Sequence, residues 1–280
     1  MCGHPCSCTG PVSKIPGVIL SAAEAQSRAR EAGVDVPRLM TMLLPDAAKL
    51  AKPPVSNFFV GCVSRGLSGA LYFGTNLEFA GEALSFTVHA EQSSVTNAWM
   101  NGEEGIDLIA VNAAPCGYCR QFLNELTTAD RLVVSMPKET RALKELLPGA
   151  FGPRDLGIDG GLMQRGDHGL AIDEEDELAR AALKAANMSY APYSKSFAGV
   201  AVRTSRGIYT GAYAENAAFN PSMSPLEVAL SRLNLAGESW DAIDDAVLVS
   251  TDSMHTEATR VVLRAVSGVS LRGIRAAAQR

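Results

Sequence analysis

His89-Ala90-Glu91 and, further along, Pro115-Cys116-Gly117-Tyr118-Cys119 hold the residue types that could do chemistry in this chain. One histidine and two cysteines supply three ligands to a tetrahedral zinc and leave the fourth position open for water. Glu91 follows His89 by two residues, close enough to lie beside that water and move its protons. A structural zinc would be closed by a fourth Cys or His, so the set describes a hydrolytic centre. Each piece alone has a plainer reading. A C-x-x-C is also a structural zinc knuckle or a redox pair, and a lone histidine on a helix is usually packed core. The combination in this order points to catalysis. Zinc held this way lowers the pKa of its water from about 16 toward about 7, giving hydroxide at neutral pH. Glu91 would accept the water's proton and pass it on.

The elements around these residues have to bring them together. His89 to Met100 reads as a helix, with Val95 and Trp99 four apart on one face and Asn101-Gly102 as its stop. Cys116 to Leu126 reads as a second helix, with both cysteines in its first turn and Pro115 fixing the chain that enters it. Free N–H groups at such a helix start favour thiolate over thiol. Phe58–Val63 and Ala70–Leu77 read as paired strands, and Ile106–Val111 and Arg131–Met136 as further strands. The order β-β-α-β-α-β predicts a mixed sheet with helices packed on it. Ahead of it, 19–51 reads as helical, broken by Pro53-Pro54.

The second half repeats the plan: helix 174–187, strands 197–203 and 208–213, helix 226–235, strand 246–250, helix 257–266 and strand 269–274. Local echoes support a true repeat. Ser56 to Gly61 resembles Ser194 to Val200, and Tyr72 to Glu78 resembles Tyr209 to Glu215. The expected organisation is a tail over 1–18, an N-terminal helical segment over 19–51, a zinc domain over 52–150, a linker over 151–173 and a non-catalytic repeat over 174–280. In that repeat Pro225-Leu226-Glu227 stands in the place of His89-Ala90-Glu91, with no C-x-x-C, so Glu227 reads as a packed or solvated helix residue and one zinc per chain is expected.

At 280 residues, 47% hydrophobic and 20% charged, the chain is long enough for two globular domains. No apolar run is long enough to span a membrane, and the N-terminus lacks the apolar stretch of a signal peptide, so a cytoplasmic location with no membrane partner is expected. A net charge of −5 counts against nucleic acid as the main partner. The six cysteines make a poor disulfide framework, which fits a reducing compartment. Cys2, His4, Cys6 and Cys8 could chelate a metal, but their Gly/Pro/Ser-rich surroundings read as a disordered tail.

H-x-E…P-C-x-x-C is a signature of zinc-dependent nucleobase deaminases. From about residue 20 to about residue 250 the chain resembles the cytidine deaminases, specifically the dimeric type with a catalytic domain and a decayed copy of it. Thr87–Ser93, Ala114–Leu126, Ala150–Leu156 and Tyr213–Pro221 carry the match. The resemblance implies two α/β/α three-layer domains with mixed sheets. It implies hydrolytic deamination of cytidine and 2′-deoxycytidine to uridine and deoxyuridine, a step of pyrimidine salvage, with Glu91 as the proton shuttle. It further implies that Asn76 and Glu78 hold the ribose 3′-hydroxyl, that Phe58 stacks on the pyrimidine, and that the backbone N–H groups of Ala90 and Cys116 bind the base. Two residues spaced by two on a strand do point to one face, which suits joint capture of a sugar hydroxyl. Ala218 and Phe219 resemble residues that reach a partner subunit's site, implying a homodimer whose pockets are completed across the interface.

Three other readings stay open at this point: a deaminase acting on cytosine in nucleic acid, one acting on dCMP or a nucleoside antibiotic, and a catalytically dead zinc scaffold. Capture of a free 3′-hydroxyl is incompatible with a continuing strand, and the intact Glu91 argues against a dead scaffold.

Overall fold

A computed structural model of the chain describes residues 18–278; the Cys2/His4/Cys6/Cys8 cluster lies outside the described residues. The elements of the first half are β1 (Ile19–Leu20), α1 (Ala22–Glu31), α2 (Val36–Ala48), β2 (Gly61–Gly66), β3 (Leu71–Thr75), α3 (Ala90–Met100), β4 (Ile106–Val111), α4 (Gly117–Leu123), β5 (Val133–Ser135), β6 (Thr140–Ala142) and α5 (Leu143–Leu146). Those of the second are β7 (Leu170–Ala171), α6 (Glu177–Asn187), β8 (Ala198–Thr204), β9 (Gly207–Ala212), α7 (Pro225–Leu235), β10 (Asp245–Ser250), α8 (Thr256–Ser267), β11 (Leu271–Arg275) and β12 (Ala277–Ala278).

The first sheet runs β1-β3-β2-β4-β5-β6 and the second β11-β10-β8-β9. Within them β3-β2-β4-β5 matches β9-β8-β10-β11 strand for strand. In each, only the last pair is parallel, β4 with β5 and β10 with β11. The expected mixed sheets and the repeat are therefore both present. Strand side chains alternate between two faces. Ile106, Ile109 and Val111 of β4 enter one apolar cluster while Leu108 and Ala110 enter another. Ala246 and Leu248 of β10 face the first of these clusters, and Val247 and Val249 face a third.

The first cluster is shared. It takes the inner faces of both sheets together with residues of α3, α4, α7 and α8, so these four helices form one middle layer between the sheets. The outer faces are closed by α1 and α2 on the first sheet and by α6 on the second. On the first sheet α2 packs against β2 as α6 packs against β8 on the second. We therefore take the repeating unit to begin at α2, ahead of residue 52. Further contacts join the halves: the Ser93 and Ser231 hydroxyls meet at 2.7 Å, Asn234 Nδ2 donates to Leu50 O, and Trp240 lies against Phe79.

Two expected boundaries differ for physical reasons. The strand expected from Phe58 begins only at Gly61. Val60 N–H donates to Asn76 Oδ1, and the Phe58 and Phe59 carbonyls accept from the amides of Asn76 and Asn112, so side chains take the bonds a ladder would have used. The helix expected to Leu126 stops at Leu123, because Glu125–Thr127 pairs with the linker through Leu162. The 151–173 linker is accordingly part of the core, with Leu162 and Met163 buried.

Candidate active site

Two helix starts meet where His89 Nδ1 and Cys116 Sγ lie 3.6 Å apart. β3 runs on through Asn76-Leu77-Glu78, and Leu77 forms an antiparallel bridge with Val88, which delivers His89 beside that strand end. His89 is the N-cap residue of α3 and Cys116 the N-cap residue of α4, both in extended conformation, so their side chains project beyond the helix ends. α3 sits close on β3 because residue 74 is glycine: a Cβ there would lie 2.2 Å from Ser94 N and 2.4 Å from Ala90 O. Beneath the first turn, Ser94 Oγ donates to Glu91 O and contacts Cys62 Sγ and Ser64 Oγ, holding the turn to β2.

The ligand atoms of His89, Cys116 and Cys119 lie within 4.8 Å of one another. Cys116 Sγ is 3.6 Å from His89 Nδ1 and 3.6 Å from Cys119 Sγ. Tetrahedral zinc with ordinary bond lengths would space two sulfurs by about 3.8 Å and sulfur and nitrogen by about 3.5 Å. The donor set therefore fits zinc with little movement. It is the one such group found among the described residues.

The three side chains perturb one another's ionisation. Hydrogen bonds from Cys119 and His89 hold the Cys116 thiol down to about 3. The same contact with Cys116, together with burial, pushes the Cys119 thiol far up. Burial works to lower the His89 imidazole, but the bonded and charged Cys116 sulfur outweighs it and the pKa rises. Glu91 is buried at the second position of α3, hydrogen-bonded to Cys119 and close to His89. Burial raises its pKa above the usual carboxylate range.

Asn76 and Glu78 are both buried under the 53–60 loop. Glu78 accepts from Val55 N–H at 2.8 Å and from Ser56 N–H at 2.9 Å. Burial opposes its ionisation, but the hydroxyl and N–H of Ser56 and the N–H of Val55 pull its pKa down. The loop they hold carries Phe58, which is 59% exposed. Ala90, the first residue of α3, is buried. Ala218 and Phe219 lie in the β9–α7 loop, with Phe219 64% exposed and at φ 61°. Within the chain this loop is tied to both α3 and α4. Asn216 Nδ2 donates to Gln121 O, Tyr118 Oη donates to Asn220 O, and Gln92 Nε2 donates to Pro221 O. Gln92, Tyr118 and Asn216 were not marked by the sequence motif. Tyr118 sits at one of its variable positions and Gln92 just beyond its Glu, and only their partners from the second half give them a part in the site.

The second half repeats this framework with a corrected register. Bridges Lys52–Leu77–Val88 correspond to Tyr190–Ala214–Met223. Glu215 accepts from Tyr193 and Ser194 as Glu78 does from Val55 and Ser56. A Cβ on Gly211 would meet Pro225 O and Ala229 N, the counterparts of Ala90 O and Ser94 N around Gly74. Ser224 therefore replaces His89, Pro225 replaces Ala90, and Leu226 replaces Glu91. The expected Pro225-Leu226-Glu227 alignment is off by one residue. Glu227 matches Gln92: each caps the backbone N–H three residues before it.

Models of the cytidine and deoxycytidylate deaminase zinc-binding region match residues 36–136 and 143–261. The chain is 47% identical over 252 residues to a cytidine deaminase of Vibrio cholerae serotype O1, a match spanning 88% of this chain and 85% of that one. It is 50% identical over 234 residues to a cytidine deaminase of Photobacterium profundum, spanning 82% and 79%. Among solved structures, cytidine deaminase from Mycobacterium tuberculosis aligns at 30% identity with 41% of this chain and 96% of its own, with a TM-score of 0.38. Zinc is the metal that the donor set and the matched regions both indicate. Nearly half identical to its relatives along most of their length, the chain belongs to the family of zinc-dependent cytidine deaminases.

Proposed function

We infer that this protein is a hydrolase that deaminates cytidine and 2′-deoxycytidine, consuming water and releasing ammonia to leave uridine or deoxyuridine. The observation that carries the reading is the buried Glu91 carboxyl set beside the three metal-binding atoms of His89, Cys116 and Cys119. Zinc, when bound by those three residues, supplies Lewis-acid activation of water near neutral pH. Glu91 takes one proton of the attacking water and passes it to the ring nitrogen, then takes the remaining hydroxyl proton of the C4 adduct and passes it to the amine as the C4–N bond breaks, so water is consumed and ammonia leaves. Asn76 and Glu78 engage the ribose 3′-hydroxyl, and Phe58 stacks on the pyrimidine. The N–H groups of Ala90 and Cys116 hold the base. These assignments draw support from the strand end that brings Asn76 and Glu78 alongside His89.

The protein acts as a homodimer in this reading, with Ala218 and Phe219 closing the site of the partner subunit. The exposed Phe219, held out on a cross-braced loop, supports it. A cytoplasmic location accords with free cysteines at 62, 116 and 119. Among the described residues no helix is long and apolar enough to cross a membrane.

The decisive assay follows cytidine absorbance with and without a zinc chelator, alongside dCMP and a C-containing oligonucleotide. Chelator-sensitive turnover of cytidine and deoxycytidine is expected. Faster turnover of dCMP or of the oligonucleotide would overturn the nucleoside assignment, and turnover indifferent to zinc removal would overturn the metal's role.

A further inference from the structure

A metal-bound histidine is ordinarily oriented by a hydrogen bond from its second ring nitrogen to a carboxylate, a carbonyl or water. Here Nδ1 faces Cys116, and among the described residues His89 Nε2 has no hydrogen-bond partner. What does hold the ring is Tyr118, from inside the C-x-x-C. Its ring stacks on the imidazole with centroids 5.2 Å apart and planes 24° apart. The Tyr118 hydroxyl donates to Asn220 O at 2.7 Å. One residue on, Pro221 O accepts from Gln92 Nε2 at 3.2 Å, while Gln92 Oε1 accepts from His89 N at 3.1 Å. The ring and the main chain of His89 are thus both referred to consecutive carbonyls of the second half.

Those carbonyls belong to a braced loop. Asn216 Oδ1 accepts from Ala218 N, Ser222 Oγ accepts from Asn216 N, and Phe219 N donates to Asn216 O. Asn216 Nδ2 in turn donates to Gln121 O of α4. An aromatic plane fixed at its far end by such a loop can set the angle of the ring it stacks on.

Resting on the metal-site reading above, we propose that Tyr118 is a positioning residue: it fixes the plane of the His89 imidazole for the metal, and the second half of the same chain anchors it through the Asn220 carbonyl. The half without zinc ligands therefore shapes the metal site of its own chain, separately from anything it does for a partner subunit.

The test is zinc release from the full-length, zinc-loaded protein to a chromophoric chelator. Tyr118→Phe keeps the stacked ring and loses the anchor; release is expected to quicken by about 3- to 10-fold. Tyr118→Leu loses both, and release is expected to quicken by about 10- to 100-fold. In each variant kcat for cytidine falls while KM stays near that of the parent, because the substrate contacts are intact. Cobalt(II) loaded in place of zinc gives a second readout, and its visible ligand-field bands should shift in both variants. Parent-like release with unshifted cobalt bands in Tyr118→Phe and Tyr118→Leu would overturn the proposal. If Tyr118→Leu does not fold, Tyr118→Phe alone decides by the same two readouts. Retention of zinc by Cys119→Ser would instead overturn the metal-site reading, so the two failures are told apart.

Discussion

Glu91 and Glu227 are buried carboxyls in the first turns of corresponding helices, and one position separates their roles. Glu91, second in α3, reaches Cys119 and the metal-binding atoms. Glu227, third in α7, turns back to cap Ser224 N–H and is pushed up to about 7 by burial. Glu91→Gln should keep zinc at one equivalent per chain and lose cytidine turnover by about 10²-fold or more, read by metal analysis beside the absorbance assay. For Glu227 the folded pKa lies above the unfolded value. Folding is therefore favoured most below about pH 4.5, and stability falls as pH rises through about 7, where the full cost of the buried charge is felt. Glu227→Gln, which can still accept the capping bond, should raise stability at pH 8 by up to about 3 kcal/mol, with the gain shrinking as pH is lowered. Urea unfolding at both ends of that range checks it, and a variant no more stable than the parent at pH 8 would refute it. The set of His89, Glu91, Cys116 and Cys119 was legible in the sequence because His, Glu and Cys at those spacings have few other joint uses. Which of Leu226 and Glu227 replaces Glu91 was not, because composition does not mark a helix's first residue; the cap does.

At the scale of elements, the site depends on how deeply α3 beds on β3. A methyl at Gly74 would collide with the backbone of the turn carrying Ala90 and Ser94. Gly74→Ala should cost about 1–3 kcal/mol and also weaken zinc retention, since lifting α3 moves His89 away from Cys116. Gly211→Ala meets the same obstruction against α7. It should cost similar stability with a smaller effect on zinc, because no ligand rides on α7. Denaturant midpoints and chelator competition on the two variants separate these effects. Equal zinc loss from both would show that bedding depth at α3 is not what matters. Helix and strand order along the repeat was readable from apolar periodicity. The start of β2 was not, since Asn76 and Asn112 reach the 58–60 segment from distant parts of the chain.

At the scale of the molecule, the two halves share their largest core cluster, so they should unfold together. The chain has two tryptophans, Trp99 in the first half and Trp240 in the second. Single-tryptophan variants Trp99→Phe and Trp240→Phe should report coincident urea transitions by fluorescence once each is normalised to its own stability by circular dichroism. Separate transitions within one variant would mean the halves fold independently. Assembly has its own test. Phe219→Ala should raise the apparent KM for cytidine several-fold with zinc content unchanged, and an unchanged KM would remove Phe219 from the partner's pocket.

The sequence by itself determined the His/Cys/Cys group that could hold a metal, the carboxyl two residues from its histidine, the duplicated α/β plan and the absence of such a group from the second copy. All of these are matters of residue type, spacing and local periodicity. Only the tertiary structure decided what the second copy does for the first. Its helices fill the layer shared by both sheets, and its Asn220 and Pro221 carbonyls brace Tyr118 and Gln92 behind His89. Main-chain carbonyls are the same atoms at every position, so their partners are set by how the chain packs and leave no trace in residue identity.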